Sequence, residues 1–188
     1  ITGGLGFIGS NYILSKMVDS SVEILNYDKV TYAANLENLS SMSDKTNYHF
    51  IKGDICDSKN IYESINTFKP DVIINFAAES HVDRSIESPM EFIQTNVLGT
   101  TVLLEASYKY YKALSDKNNF RFLHISTDEV FGELGDSGLF NENTPYSPNS
   151  PYSASKASSD HLVRAWAKTF DLPILISNCS NNFGPFQF

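Results

Sequence analysis

Short apolar runs alternate with helix-length amphipathic stretches along the whole chain, and this alternation constrains the fold more than any other feature. The pattern predicts strands over residues 22–27, 48–51, 72–76, 120–125 and 174–177, with Ile1-Thr2 as the stump of an earlier one. Helices are predicted over residues 7–19, 57–68, 90–114 and 152–171. In the first helix Ile8, Ile13, Met17 and Val18 fall near one face; in the last, Leu162, Val163, Trp166 and Phe170 do so. Apolar strands of four to six residues, separated by helices, are buried on both faces of a parallel sheet. Right-handed crossovers then give an α/β, doubly wound fold, whose ligands lie at the carboxyl ends of the strands.

The chain has 14 Lys and Arg against 22 Asp and Glu, a net charge of -8 at pH 7. That balance argues against a general binder of nucleic acid or of membrane surfaces. No apolar run approaches the length of a membrane span, and no signal peptide is visible. Cys56 and Cys179 form no Cys-x-x-Cys and suggest no disulfide framework, so a cytoplasmic location is expected. No set of His, Cys and carboxylates has metal-ligand spacing, and no metal is expected. The chain opens at Ile1 without Met and ends just after a turn; both ends are expected to be cuts through a longer protein.

Gly3, Gly6 and Gly9 form G-x-x-G-x-x-G between the strand stump and the first helix. A pyrophosphate needs close backbone approach and a helix N-terminus with free N–H groups, which glycines at this turn allow. Asp28 ends the next strand, 19 residues after Gly9. Its carboxylate suits ribose hydroxyls and repels a 2′-phosphate, favouring NAD over NADP; the competing reading is a turn cap, and Lys29 beside it leaves NADP open. Asp54 suits an adenine amino group or, equally, an Asx turn.

Tyr152 and Lys156, spaced i and i+4 at the start of a helix, share a face. An ammonium near the phenol, with a positively charged nicotinamide close by, is expected to lower the tyrosine pKa and make Tyr152 a base toward a sugar hydroxyl. The alternative is a solvated helix face. Ser126-Thr-Asp-Glu129 follows an apolar strand. Asp128 and Glu129 read either as a capped loop or as an acid–base pair with separated pKa values, with Thr127 able to donate to a substrate oxygen. In Phe76-Ala-Ala-Glu-Ser-His81 the small residues would let a flat cofactor lie on the backbone, and His81 reads first as a local hydrogen-bonding group.

The run Thr2-Gly-Gly-Leu-Gly-Phe-Ile-Gly9, together with Tyr152-x-x-x-Lys156, resembles the extended short-chain dehydrogenase/reductases that act on nucleotide sugars. Asp28-Lys-Val-Thr-Tyr32, Ala77-Ala-Glu-Ser-His-Val-Asp-Arg-Ser85, Ser126-Thr-Asp-Glu-Val-Phe-Gly132 and Asn178-Cys-Ser-Asn-Asn-Phe-Gly-Pro185 narrow the resemblance to the 4,6-dehydratase branch. The resemblance implies a Rossmann-type NAD domain over 1–188, incomplete, with a smaller substrate-binding domain lying outside this sequence. It implies dTDP-glucose as substrate and NAD as cofactor. Tyr152, Lys156 and Thr127 would serve the 4-hydroxyl, Glu129 the C5 proton and Asp128 the departing 6-hydroxyl. Beyond the three loop glycines, cofactor contacts would come from Phe7, Ile8, Asp28, Lys29, Val30, Thr31, Asp54, Ile55, Phe76, Ala77, Ala78, Glu79, Ser80, Thr95, Tyr152, Lys156 and Asn182. Ser80, Thr127 and Asn181 would touch the sugar nucleotide. A homodimer is implied, paired through the helices beginning at Met90 and Tyr152. Ala34 stands where the family usually has Gly, and Phe183 and Phe186 replace common tyrosines. The same residues leave open a nucleotide-sugar 4-epimerase or another sugar-nucleotide dehydratase or, for this segment alone, an NAD-binding module without turnover.

Overall fold

The computed structural model describes residues 1–135 and 137–187. Parallel strands and helices alternate: α1 (Phe7–Lys16), β1 (Ile24–Asp28), β2 (Tyr48–Lys52), α2 (Ser58–Phe68), β3 (Val72–Asn75), α3 (Val82–Glu87), α4 (Pro89–Phe92), α5 (Thr100–Ala113), β4 (Arg121–Thr127), α6 (Pro151–Phe170) and β5 (Ile174–Cys179). Short 3₁₀ turns follow β1 (Leu36–Met42) and β4 (Asp128–Phe131). β1 pairs with β2, and β3 with β4 and β5, all in parallel. Thr2 bridges both groups, pairing with Tyr27 on one side and Asn75 on the other. The stump therefore lies at the centre, in the order β2-β1-stump-β3-β4-β5. This is the doubly wound order, with the switch point beside the glycine loop.

Leu103, Leu104, Phe120, Phe122, Val163 and Leu172 form the core under the sheet, each 2% exposed or less. A smaller cluster of Leu5, Ile13, Ile24 and Leu39 fixes α1 and the turn after β1. α6 begins sharply because Ser150 and Ser153 form a reciprocal capping box and Pro151 occupies the first turn, which needs no N–H donor. Tyr152 therefore enters at a defined point in that turn.

One predicted helix differs from the observed structure, and one observed helix was not predicted. The segment over 90–114 is not one helix: α4 passes into α5 through wide π-helical turns at Ile93–Gly99. Asn96, buried at 1% exposure inside those turns, turns its amide away from the helix. The separate α3 had no amphipathic signal and was not expected; it is only six residues long. Asp57 and Asp171 lie just outside their helices as the N-cap and the left-handed C-cap.

Candidate active site

At the carboxyl ends of the strands lies a cleft of about 640 Å³. Its floor is the glycine loop, and the three glycines are required for different reasons. Gly3 has φ +69°, and a Cβ there would stand 2.5 Å from the Ala77 nitrogen. A Cβ on Gly9 would run into the Gly3 carbonyl oxygen, so Gly9 lets α1 pack on the loop. At Gly6 the nearest atom to a Cβ is 3.5 Å away, and the protein itself has room for a side chain. The missing side chain at Gly6 thus matters to whatever occupies the cleft. Gly6 also caps α1 without a side chain, and no protein acceptor among the described residues bonds the N–H groups of Phe7, Ile8 and Gly9. This open, positively polarised helix end fits a pyrophosphate.

Asp28 is 7% exposed, and its two oxygens accept from the N–H of Leu5 (2.9 Å) and of Val30 (2.7 Å). The turn-cap reading is thus realised, but Asp28 also lines the cleft, and each oxygen can accept a further hydrogen bond. Asp54 makes an Asx turn with the Cys56 N–H (2.9 Å) and pairs with Lys29 at 2.8 Å. Burial pushes its carboxyl up, yet Lys29 and the Cys56 N–H outweigh that and hold it below its usual range. Lys29 is thereby turned back onto the protein.

The loop after β3 is pinned from behind. Asn96 accepts from the Glu79 N–H (2.8 Å) and donates to the Glu79 carbonyl (2.9 Å) and to Ser155 Oγ (2.8 Å). The Tyr32 hydroxyl donates to Glu79 Oε2 at 3.0 Å, and the Arg84 guanidinium stacks 3.8 Å above the Tyr32 ring.

Of the sequence-predicted cofactor residues, Phe7, Ile8, Thr31, Ile55, Phe76, Ala77, Ala78, Ser80 and Thr95 also line the cleft, as do Tyr152 and Lys156. Val30 and Asn182 do not. Val30 packs against the small core instead, and the exposed Asn182 donates to the Ser180 carbonyl. Of the predicted substrate residues Ser80 lines the cleft, Thr127 stands beside it, and the exposed Asn181 lies apart. Sequence reasoning missed Asn96 as a support. It also left Tyr32 and Arg84 out of the site, although both lie in the runs that carried the family resemblance.

At the far end, Lys156 is 4% exposed and donates to the Ile125 carbonyl at 2.7 Å. Burial lowers its pKa to about 8, so the ammonium form still prevails at neutral pH. Tyr152 is 9% exposed, and its pKa rises to about 12, first from burial and then from the Glu129 charge, while the Thr127 hydroxyl pulls the other way. In the protein by itself, the expected lowering of the tyrosine pKa by the neighbouring lysine is therefore reversed. Lys156 is directed at a backbone carbonyl, and the nearby carboxylates oppose a phenolate. Thr127 is buried, Asp128 half-buried and Glu129 exposed. Partial desolvation, followed by the Asp128 charge, moves the Glu129 carboxyl up. Tyr152 and Lys156 thus line the cleft, and the charges of Glu129 and Asp128 act on the Tyr152 phenol from beside it. Among the described residues, no group of three or more His, Cys, Asp or Glu side chains could hold a metal ion, and no helix is long and apolar enough to cross a membrane.

The dTDP-glucose 4,6-dehydratase of Xanthomonas campestris pv. campestris (strain B100) is 56% identical over 190 residues, covering 100% of this chain and 54% of that protein. A crystal structure of dTDP-glucose 4,6-dehydratase from Bacillus anthracis in complex with NAD superimposes with a TM-score of 0.87 at 44% identity, covering 100% of this chain and 56% of that one. DesIV, a dTDP-glucose 4,6-dehydratase from Streptomyces venezuelae with NAD and TYD bound, gives a TM-score of 0.90 at 40% identity, covering 99% and 56%. The chain spans about half the length of the curated relatives it matches. The model of the family described as GDP-mannose 4,6 dehydratase matches residues 1–188, from the stump through β5 and beyond; the chain belongs to that family of Rossmann-type proteins.

Proposed function

We propose that the protein carrying this chain is an NAD-dependent dTDP-glucose 4,6-dehydratase, a cytoplasmic lyase that forms the 4-keto-6-deoxy sugar nucleotide and releases water. The observation that carries the reading is the Asp128–Glu129 pair, whose charges act on the Tyr152 phenol at the end of the glycine-loop cleft. An epimerase needs only the tyrosine; removing water across C5–C6 needs a second base and an acid.

NAD, held by the glycine loop and Asp28, would supply positive charge and a reversible hydride acceptor for sugar C4 and C6. Tyr152 takes the 4-hydroxyl proton, in a helix first turn that favours negative charge, with Thr127 donating to the same oxygen. Lys156 holds its ammonium at the cleft wall. A carbonyl at C4 acidifies C5. Glu129 removes the C5 proton, and its raised pKa makes it a stronger base once ionised. Asp128 protonates the departing 6-hydroxyl, which leaves as water, and C5 recovers a proton from Glu129 as hydride returns to C6. The glycine loop and Asp28 hold the pyrophosphate and ribose. The loop from Phe76 to Ser80 and the side chains of Thr31, Ile55 and Thr95 bear on the rest of the dinucleotide. Val30, Asn182 and Asn181 retain only the family analogy as support.

We further infer that recognition of the nucleotide base comes from residues outside these 188, because the chain covers 54% of its Xanthomonas relative and the predicted substrate residues gather only partly at the cleft. The exposed Ile86, Met90, Ile93 and Leu98 on the α3-to-α5 run support a homodimer. The test is incubation of the intact protein with dTDP-glucose and NAD. The expected product is the 4-keto-6-deoxy sugar nucleotide, with no net NADH. Detecting only a C4 epimer would replace the dehydratase by an epimerase.

A further inference from the structure

Behind the catalytic end of the cleft lies a buried carboxylate that the proposed reaction does not use. Asp160 is 0% exposed and stands one helical turn after Lys156 on α6, on the same face. The two side chains grip consecutive residues of β4. Lys156 Nζ donates to the Ile125 carbonyl (2.7 Å), and Ser126 Oγ donates to Asp160 Oδ2 (2.8 Å). The Tyr146 hydroxyl, from the loop before α6, donates to the same oxygen at 2.8 Å, and Asn178 Nδ2 on β5 stands 3.4 Å from it while donating to the Thr127 carbonyl at 3.1 Å.

The other oxygen, Oδ1, faces His124. Asn75 accepts from Thr2 Oγ1 through its Oδ1 (2.6 Å), so its Nδ2 donates to His124 Nδ1 (3.2 Å). The imidazole proton therefore sits on Nε2, 3.4 Å from Asp160 Oδ1. Burial drives His124 down to about 4, and it carries no charge at neutral pH. Arg164 spends its hydrogen bond on the Tyr146 hydroxyl. Lys156 is thus the buried cation beside this buried anion. It is itself faced by Asp160 from its own helix, by His124 from β4 and by Cys179 from β5. A carboxylate out of water is costly without both hydrogen bonds and an opposite charge.

We propose that Asp160 is a positioning residue for Lys156: its hydrogen bonds lock α6 to the end of β4, and its buried charge lies one helical turn from the lysine on the same face, so that Lys156 and Tyr152 stay aligned with Thr127. The functional consequence rests on the NAD reading above; the coupling of the two charges does not.

The test follows NAD affinity of the intact protein from pH 6 to 9.5. In the parent, affinity falls on the alkaline side as Lys156 loses its proton near pH 8. In Asp160→Asn that limb moves toward acid by about one pH unit. Tyr146→Phe removes a hydrogen bond and keeps the carboxylate; it lowers Tm and leaves the limb in place. A limb that does not move in Asp160→Asn, or that is absent in both proteins, overturns the proposal and leaves Asp160 a merely structural group. Lys156→Met in the same background adds a second readout: the double variant melts higher than Asp160→Asn, or folds where Asp160→Asn does not, if the charges compensate, and a double variant that melts no higher or also fails to fold overturns the proposal. If the parent binds no NAD, the functional reading fails, while the melting comparison still judges the coupling.

Discussion

Gly6 and Gly9 lie three positions apart, yet their neighbours ask different things of them. At Gly9 an added methyl meets the Gly3 carbonyl, and overpacking of this kind costs roughly 1–3 kcal/mol. At Gly6 the methyl enters the cleft. Gly6→Ala is therefore expected to melt within about 0.5 kcal/mol of the parent and to lose NAD affinity at least about tenfold by calorimetry; Gly9→Ala is expected to lose stability first. Equal NAD affinity in Gly6→Ala would remove the loop from the cofactor site. The glycine spacing was legible because a phosphate loop is a local structure. Asp28 was legible only in part: its place at the strand end followed from spacing, whereas its double use, capping the loop and facing the cleft, depends on the Leu5 N–H coming back across 23 residues. The raised Tyr152 pKa was not legible, because burial and a through-space carboxylate decide it.

Among the elements, β4 carries the most chemistry. It ends on Thr127, abuts both Lys156 and Asp160, and buries His124 at 1% exposure. Burial, its largest cause, takes the His124 pKa from an ordinary 6.5 to about 4, so the unfolded chain binds a proton that the folded chain refuses. Stability is therefore complete above pH 6.5 and declines as pH falls toward 4, by on the order of 3 kcal/mol if His124 acts alone. Urea midpoints of the intact protein at pH 7 and 5 check this; His124→Gln should flatten the difference, and an unchanged slope would assign the acid sensitivity elsewhere. The alternating apolar runs made β1 to β5 readable to within a few residues. The α4-to-α5 run was not readable as built. Its π-helical turns exist because Asn96 serves the Glu79 backbone and Ser155, and because Gly99 must sit against Ile55, where a Cβ would come within 2.7 Å. Neither partner is visible from helical periodicity. π-Helical turns of this kind are common at functional sites.

For the whole molecule, the central stump joins two strand groups and opens the cleft at the point where the strand order reverses. Fold class was accessible from alternation alone, since only a parallel sheet covered on both faces buries such strands. The assembly of the acid–base end was accessible only as residue types in a run. That Thr127, Asp128 and Glu129 meet Tyr152 depends on β4 and α6 packing together across more than twenty residues of sequence. In the proposed reaction this meeting turns a redox cleft into a dehydrating one. This is tested most directly in the intact Glu129→Gln variant, by following C5 hydrogen exchange of dTDP-glucose in D₂O alongside the 340 nm absorbance of the reduced cofactor. Exchange at C5 is expected to be abolished while C4 oxidation, and with it the absorbance rise, persists. Exchange at the parent rate would contradict it.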